Sequence, residues 1–172
     1  MKDKQIIVLM GGPSEEAEVS RRTGAAIAEA LVSKGYKAQT LELNPRTVLK
    51  DIDSLGGEVV FNAIHGRYGE DGALQGLLEM AEIPYTGSGI MAHAVGMNKK
   101  VSKDVFKGAN IPTARSESYN GNLESAEAII DHIRKEFTIP VVVKSATQGS
   151  SIGVTIVREE SQLEAAVTEA LK

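Results

Sequence analysis

The feature that most constrains the fold is a rhythm in the first half of the chain. Short apolar runs, each closed by glycines, alternate with stretches of helical period. Residues 5–10, QIIVLM, are apolar almost without break and end in Gly11-Gly12-Pro13. A run with no polar alternation belongs to a strand covered on both faces, the mark of a parallel sheet. Val19, Thr23, Ala26, Ile27, Ala30 and Leu31 then recur on one helical face before Gly35. A second strand is expected over 37–43, a short helix over 48–55 stopped by Gly56-Gly57, and a third strand over 59–64 ending at His65-Gly66. Asp71 is placed to cap a helix carrying Leu74, Leu77, Leu78 and Ala81. A brief fourth strand over 83–86 and helical material from 90 to about 109 follow. This order predicts an α/β lobe over 1–96, a Rossmann-like parallel sheet with helices on both faces.

After Pro112 the rhythm changes. The pattern predicts a strand over 113–119, then an amphipathic helix marked by Ala126, Ile129, Ile130, Ile133 and Phe137. Two consecutive strands over 141–144 and 154–157 read as a hairpin. Ser161 and Glu164 have the spacing of a capping box opening a last helix with Leu163, Ala166, Val167, Ala170 and Leu171 on one face. Residues 97–172 are thus expected to form a linker helix and a small α+β lobe.

Composition narrows the function classes. The chain has 172 residues, 42% hydrophobic and 24% charged, ordinary for a globular protein. A net charge of −4 without a basic face gives no reason to expect nucleic acid. The absence of cysteine excludes disulfides, thiolate nucleophiles and Cys-ligated zinc, and fits a reducing cytoplasm. No apolar run reaches membrane-spanning length, and the opening residues read as a first strand, not a signal peptide.

Four loops concentrate residues with chemistry. In the first, GGPSEEAEVS (11–20), Glu15, Glu16 and Glu18 occupy the place where a phosphate would sit on a helix N-terminus. Three carboxylates repel phosphate. They either complement the helix dipole or, for at least one, meet an ammonium ligand at the strand ends. In the second, HGRYGEDG (65–72), His65 ends a buried strand beside the first loop, while Asp71 reads as turn and capping chemistry. The third, GSGIMA (87–92), matches a dinucleotide pattern after a strand but lacks an acid at a following strand end, so a nicotinamide site is rejected. Lys99, Lys103 and Lys107 form a stripe beyond it with Lys100 alongside; Lys100, Lys103 and Lys107 read as a solvated face. The fourth, KSATQGSSIG (144–153), joins the two late strands. Lys144 ends an apolar strand, where an unpaired ammonium is costly, and Gly149, Ser150, Ser151 and Gly153 offer N–H groups and hydroxyls to phosphate oxygens. The alternative is a mobile hairpin tip.

Taken in order, GGPSEEAEVS, HGRYGEDGALQG, PYTGSGIMA with MNK following, and VVVKSATQGSSIG resemble the D-alanine–D-alanine ligases of the ATP-grasp superfamily. The resemblance spans nearly the whole chain. It implies a Rossmann-like substrate lobe followed by the first lobe of an ATP-grasp domain. It also implies a reaction in which ATP phosphorylates one D-alanine and a second attacks the acyl phosphate. On it, Glu16 would hold the ammonium of the first D-alanine and His65 would line the same pocket. Lys99 and Lys144 would contact ATP phosphates, and Gly149, Ser150, Ser151 and Gly153 would form a phosphate lid. Ser150 would also hydrogen-bond toward Glu16, making Glu16 and Ser150 the expected catalytic pair. Ser145 stands where the family commonly has proline, Gln148 where it has glutamate, and Ala17 where it has arginine.

Members of this family continue beyond the length of this chain. The resemblance therefore implies an N-terminal portion with little ligase activity alone, the Mg²⁺ ligands lying in the remainder. It implies homodimers through the first lobe as well. The competing expectations are a non-catalytic ligand-binding module and a ligase joining D-alanine to D-lactate or D-serine.

Overall fold

The computed structural model describes residues 1–149 and 153–171. It divides into two compact units, Met1–Gly96 and Met97–Lys172.

The first unit is built on a three-stranded parallel sheet in the order β2-β1-β3, formed by β1 (Gln5–Met10), β2 (Lys37–Glu42) and β3 (Val59–Asn62). The uninterrupted apolar run takes the central place. Ile6, Ile7, Val8 and Leu9 are all buried, because both sheet faces are covered. Ile7 and Leu9 meet Val48 and Ile52 of α2 (Val48–Ser54) and Leu74 and Leu78 of α3 (Ala73–Met80). Each such fully buried aliphatic side chain contributes about 1.5–3 kcal/mol. Met10, on the opposite side of the pleat, meets α1 (Ala17–Ser33).

The packed face of α1 differs from the expected one. Val19 is exposed, as are Ala26 and Ala30, and the helix turns Ser20, Gly24 and Ile27 inward. The reason is close approach. A Cβ on Gly24 would lie 2.6 Å from Met10 Cβ, so the helix sits on the sheet through its smallest residues. The expected fourth strand is reduced to a single parallel bridge, Val60 to Tyr85. Val60 N–H donates to Pro84 O and Thr86 N–H to Val60 O, but Asn62 N–H turns to the Thr86 hydroxyl and the ladder stops. Asp71 does not cap α3 from the N-cap position, which Gly72 holds in a left-handed conformation (φ 94°). Its carboxylate instead accepts from Tyr68 N–H and Ala73 N–H, folding the preceding turn.

The expected helical stretch over 90–109 is two helices, α4 (Ile90–Met97) and α5 (Lys99–Gly108). They are separated at Asn98, whose side chain accepts from Lys100 N–H and Val101 N–H to start α5. In the second unit, α6 (Ala126–Glu136) and α7 (Leu163–Ala170) cover one face of an antiparallel hairpin, β4 (Val141–Lys144) and β5 (Val154–Val157). Residues 113–119 do not form the expected strand. Lys103 Nζ donates to Thr113 Oγ1 and Ala114 O, so the segment is held by a side chain in place of a ladder. The capping box before α7 is also displaced. It pairs Glu159 with Gln162 around a 3-10 turn, Glu160–Gln162, and not Ser161 with Glu164.

Candidate functional site

In the first unit the loops following β1 and β3 leave the same end of the parallel sheet, where ligands of such folds bind. Ser20 joins them from the first turns of α1. Its fully buried hydroxyl accepts from Gly11 N–H at 2.8 Å and donates to Ala63 O at 2.7 Å. Ser14 adds a second tie, its hydroxyl donating to His65 O at 2.8 Å. The loops of Glu16 and His65 are thereby brought together.

Among the three acids of the first loop, Glu16 is the half-buried one, while Glu15 and Glu18 are exposed. Glu18 pairs with Arg21, and Glu16 stands at the N-cap of α1 without capping it through its side chain. The Glu16 carboxylate lies instead over Gly66, where a Cβ would come within 3.1 Å of Oε2. Gly66 has φ 71° and gives its N–H to Glu70 at 2.7 Å, so only a residue without a side chain leaves that space open. Among the described residues no cation pairs with Glu16. The arrangement is a half-sheltered carboxylate beside a histidine backbone, open to a small cation.

The glycine loop itself is occupied. Glu42, at the end of β2, lies against Gly11, accepts from Gly12 N–H, and is held by Arg21 through its Nε and NH2 groups. The Arg21 hydrogen bond holds the Glu42 carboxyl below the usual glutamate range, against an upward push from desolvation and with help from Gly12 N–H. At the third loop, Glu79 accepts from Tyr85 O–H and stands near Gly89, a carboxylate where a dinucleotide phosphate would need donors.

In the second unit, Lys99 opens α5 and is bound to the β4–β5 loop twice, from its N–H to Ala146 O at 2.9 Å and from Nζ to Gln148 O at 2.5 Å. Lys144 ends β4, and the loop beyond it closes with Ser145 N–H donating to Gly153 O, Gly153 having φ 64°. Burial pushes the Lys99 ammonium below the usual lysine range, and the neighbouring positive charge of Lys144 adds to the shift. Both lysines line one cavity at the loop's base. Among the described residues neither has a carboxylate partner.

One expectation about Lys144 needs correction: it is exposed, not buried at the end of an apolar strand. The hairpin is covered on one face only. Val142, Val154 and Ile156 share the open face with Lys144, and Val142 and Ile156 are 53% and 52% exposed. A cavity of about 480 Å³ in this unit is lined by Lys99, Lys144, Val142 and Ala146 among others. Of the other lysines, Lys100 pairs with Asp104, and Lys103 donates to the Thr113 hydroxyl and the Ala114 carbonyl instead of being solvated. Gly149 lies midway along the loop and Gly153 at its end. Ser150 and Ser151 lie outside the described residues, and with them the expected contact from Ser150 to Glu16. The residues that sequence reasoning missed are Ser20, Asn62 and Gln75, each a single polar side chain whose value depends on tertiary contacts.

These features define the class of the protein: a Rossmann-like sheet lobe followed by helices and an antiparallel hairpin of a partial ATP-grasp fold. Two family models match, the D-ala D-ala ligase N-terminus over residues 37–88 and the D-ala D-ala ligase C-terminus over residues 105–172. A D-alanine–D-alanine ligase of Moorella thermoacetica is 47% identical over 174 residues, covering 98% of this chain and 55% of the relative. The solved D-alanine–D-alanine ligase of Bacillus anthracis superposes with a TM-score of 0.75 at 32% identity, covering 96% of this chain and 53% of that one. A structure of the Bacillus anthracis enzyme complexed with ATP gives 0.73 at 28% identity, covering 98% and 55%. The chain belongs to the D-alanine–D-alanine ligase family. It spans about half the length of the curated relatives it matches.

Proposed function

We propose that this chain carries the amino-acid site and the first phosphate-binding lobe of a D-alanine–D-alanine ligase, an ATP-dependent carboxylate–amine ligase of peptidoglycan precursor synthesis. The observation that carries the reading is the pair Lys99 and Lys144 lining one cavity at the base of a Gly/Ser loop, with Lys99 tied to that loop through Ala146 O and Gln148 O. A polyphosphate supplies what such a pair lacks. ATP, present in a relative's structure, is the assigned ligand. Gly149, Ser150, Ser151 and Gly153 would donate to its phosphate oxygens. Its base would rest on the open apolar face of Val142 and Ile156.

The chemistry answers a simple difficulty: a carboxylate is a poor electrophile until it carries a leaving group. The γ-phosphoryl group passes from ATP to a carboxylate oxygen of the first D-alanine, and ADP leaves. The neutral amine of the second D-alanine attacks the acyl carbon and loses a proton. The bond to the phosphate oxygen breaks, releasing inorganic phosphate and the dipeptide. Glu16 has a distinct part in this scheme. By holding the first D-alanine's amine as an ammonium, it keeps that nitrogen from acting as a nucleophile, so the two amines are told apart. His65 lines the same pocket. Mg²⁺ is implied by the family, but among the described residues no three His, Asp or Glu side chains gather to hold a metal, so these residues do not fit a protein-bound ion and no step is assigned to one. Among the described residues no helix is long and apolar enough to cross a membrane. The site is read as serving small molecules, in the cytoplasm, without nucleic acid.

Calorimetric titration with D-alanine tests the reading. The native chain should bind weakly, and Glu16→Gln, which keeps the shape and removes the charge, should lose binding. Equal binding by both would sink the assignment of the ammonium site.

A further inference from the structure

The loop that carries His65 is pinned at one backbone atom. Gly69 O accepts from two side-chain amides belonging to different elements, Asn62 Nδ2 at the end of β3 (2.8 Å) and Gln75 Nε2 on α3 (2.7 Å). Gly69 is folded so tightly against Ile64 that a Cβ there would come within 2.3 Å of Ile64 Cβ. Between these pins, Gly66 and Glu70 exchange two hydrogen bonds and Tyr68 is held with φ 70° by Asp71. Asn62 Oδ1 also accepts from Ile64 N–H, one residue before His65.

Gln75 is an unusual choice for this place. It is 1% exposed, and its neighbours on α3, Leu74 and Leu78, are core residues. Its Oε1 has no partner among the described residues. A buried amide with an unsatisfied oxygen lowers stability relative to an apolar residue of similar size. Asn62 alone would still satisfy Gly69 O. Stability therefore gives no reason for glutamine here, whereas fixing the loop does.

We propose that Gln75, with Asn62, is a positioning residue that holds the His65–Gly66 backbone against Glu16 through the Gly69 carbonyl. This rests on the reading of that pocket as the D-alanine site. The consequence is that stability and binding separate. Gln75→Leu should unfold at the same or a higher denaturant concentration than the native chain, yet bind D-alanine about fivefold more weakly, the worth of one net hydrogen bond. Exchange of the Gly66 and Tyr68 amide hydrogens should quicken in the same variant. Gln75→Met, unbranched like glutamine, serves if leucine does not fit. Gln75→Glu gives a signature that lost packing would not. Its buried carboxyl, protonated at low pH, donates to Gly69 O and should restore binding there. Binding should then fall as pH rises and the donor is lost. Native-like affinity and amide exchange in a folded Gln75→Leu or Gln75→Met chain would overturn the inference alone. A native chain that binds no D-alanine would remove the reading beneath it and the inference together.

Discussion

Ser20→Ala is the sharpest perturbation of the first unit. The hydroxyl is fully buried and serves two backbone groups, Gly11 N–H at 2.8 Å and Ala63 O at 2.7 Å. Gly11 and Ala63 are themselves buried, so neither group gains bulk water when the hydroxyl is removed. An orphaned buried group costs about 1–3 kcal/mol, so the pair costs about 2–6 kcal/mol, and local relaxation favours the lower half, about 3 kcal/mol. With a urea slope of roughly 1.5 kcal/mol/M, the unfolding midpoint falls by about 2 M. The assay is a urea titration followed through the amide signals of Ile7 and Val60, which lie in the core of this unit. Ser33→Ala is the control, since the exposed Ser33 hydroxyl donates only to Ala30 O, and its effect should stay within about 0.5 kcal/mol. A midpoint drop below about 0.3 M in Ser20→Ala would refute the claim that this hydroxyl ties the two loops.

Gly57→Ala should destabilise the first unit by about 1–3 kcal/mol in the same titration, because the added Cβ would lie 2.5 Å from Ile7 Cγ1 and 2.7 Å from Ile52 Cγ2. Glu42 has its folded-state pKa lowered, first by the Arg21 hydrogen bond, so its contribution is present above the ordinary glutamate range and is lost as pH falls through the folded value. Acid titration should therefore show a component of lost stability that disappears in Arg21→Ala; an unchanged acid limb would count against the pairing. Lys99 has a lowered folded-state pKa, so its ammonium opposes folding below that value and the penalty lifts as pH rises through it. Lys144→Ala should move the Lys99 titration, read from its side-chain NMR signals, part of the way back toward an ordinary lysine. Only part returns, since burial is the larger cause; no movement would mean the two ammonium groups do not sense each other.

Much of the fold was legible because it rests on patterns that many residues share. The run Ile6–Leu9 could only be a strand covered on both faces, and Gly35, Gly56 and Gly57 closed the elements around it. What escaped were places where one side chain overrides a pattern. The inward face of α1 was misjudged because apolar size pointed to Val19, while close packing required Ser20 and Gly24. Residues 113–119 have strand-like residues, but Lys103 takes the Ala114 carbonyl that a ladder would need. The charged residues of the loops were legible as residue types gathered at strand ends. The ties that aim them were not, since Ser20, Asn62 and Gln75 act across 6 to 43 residues of sequence. Lys144 was misjudged for a related reason: three valines in a row cannot tell a hairpin covered on one face from one covered on two.

The most direct measurement is an NMR map of the native chain titrated separately with D-alanine and with ATP. The two-ligand assignment predicts that D-alanine shifts the signals of Glu16, His65 and Gly66, while ATP shifts those of Lys99, Lys144, Gly149 and Gly153. ATP moving the glycine loop at Gly11 and Gly12, with Lys99 and Lys144 silent, would contradict it.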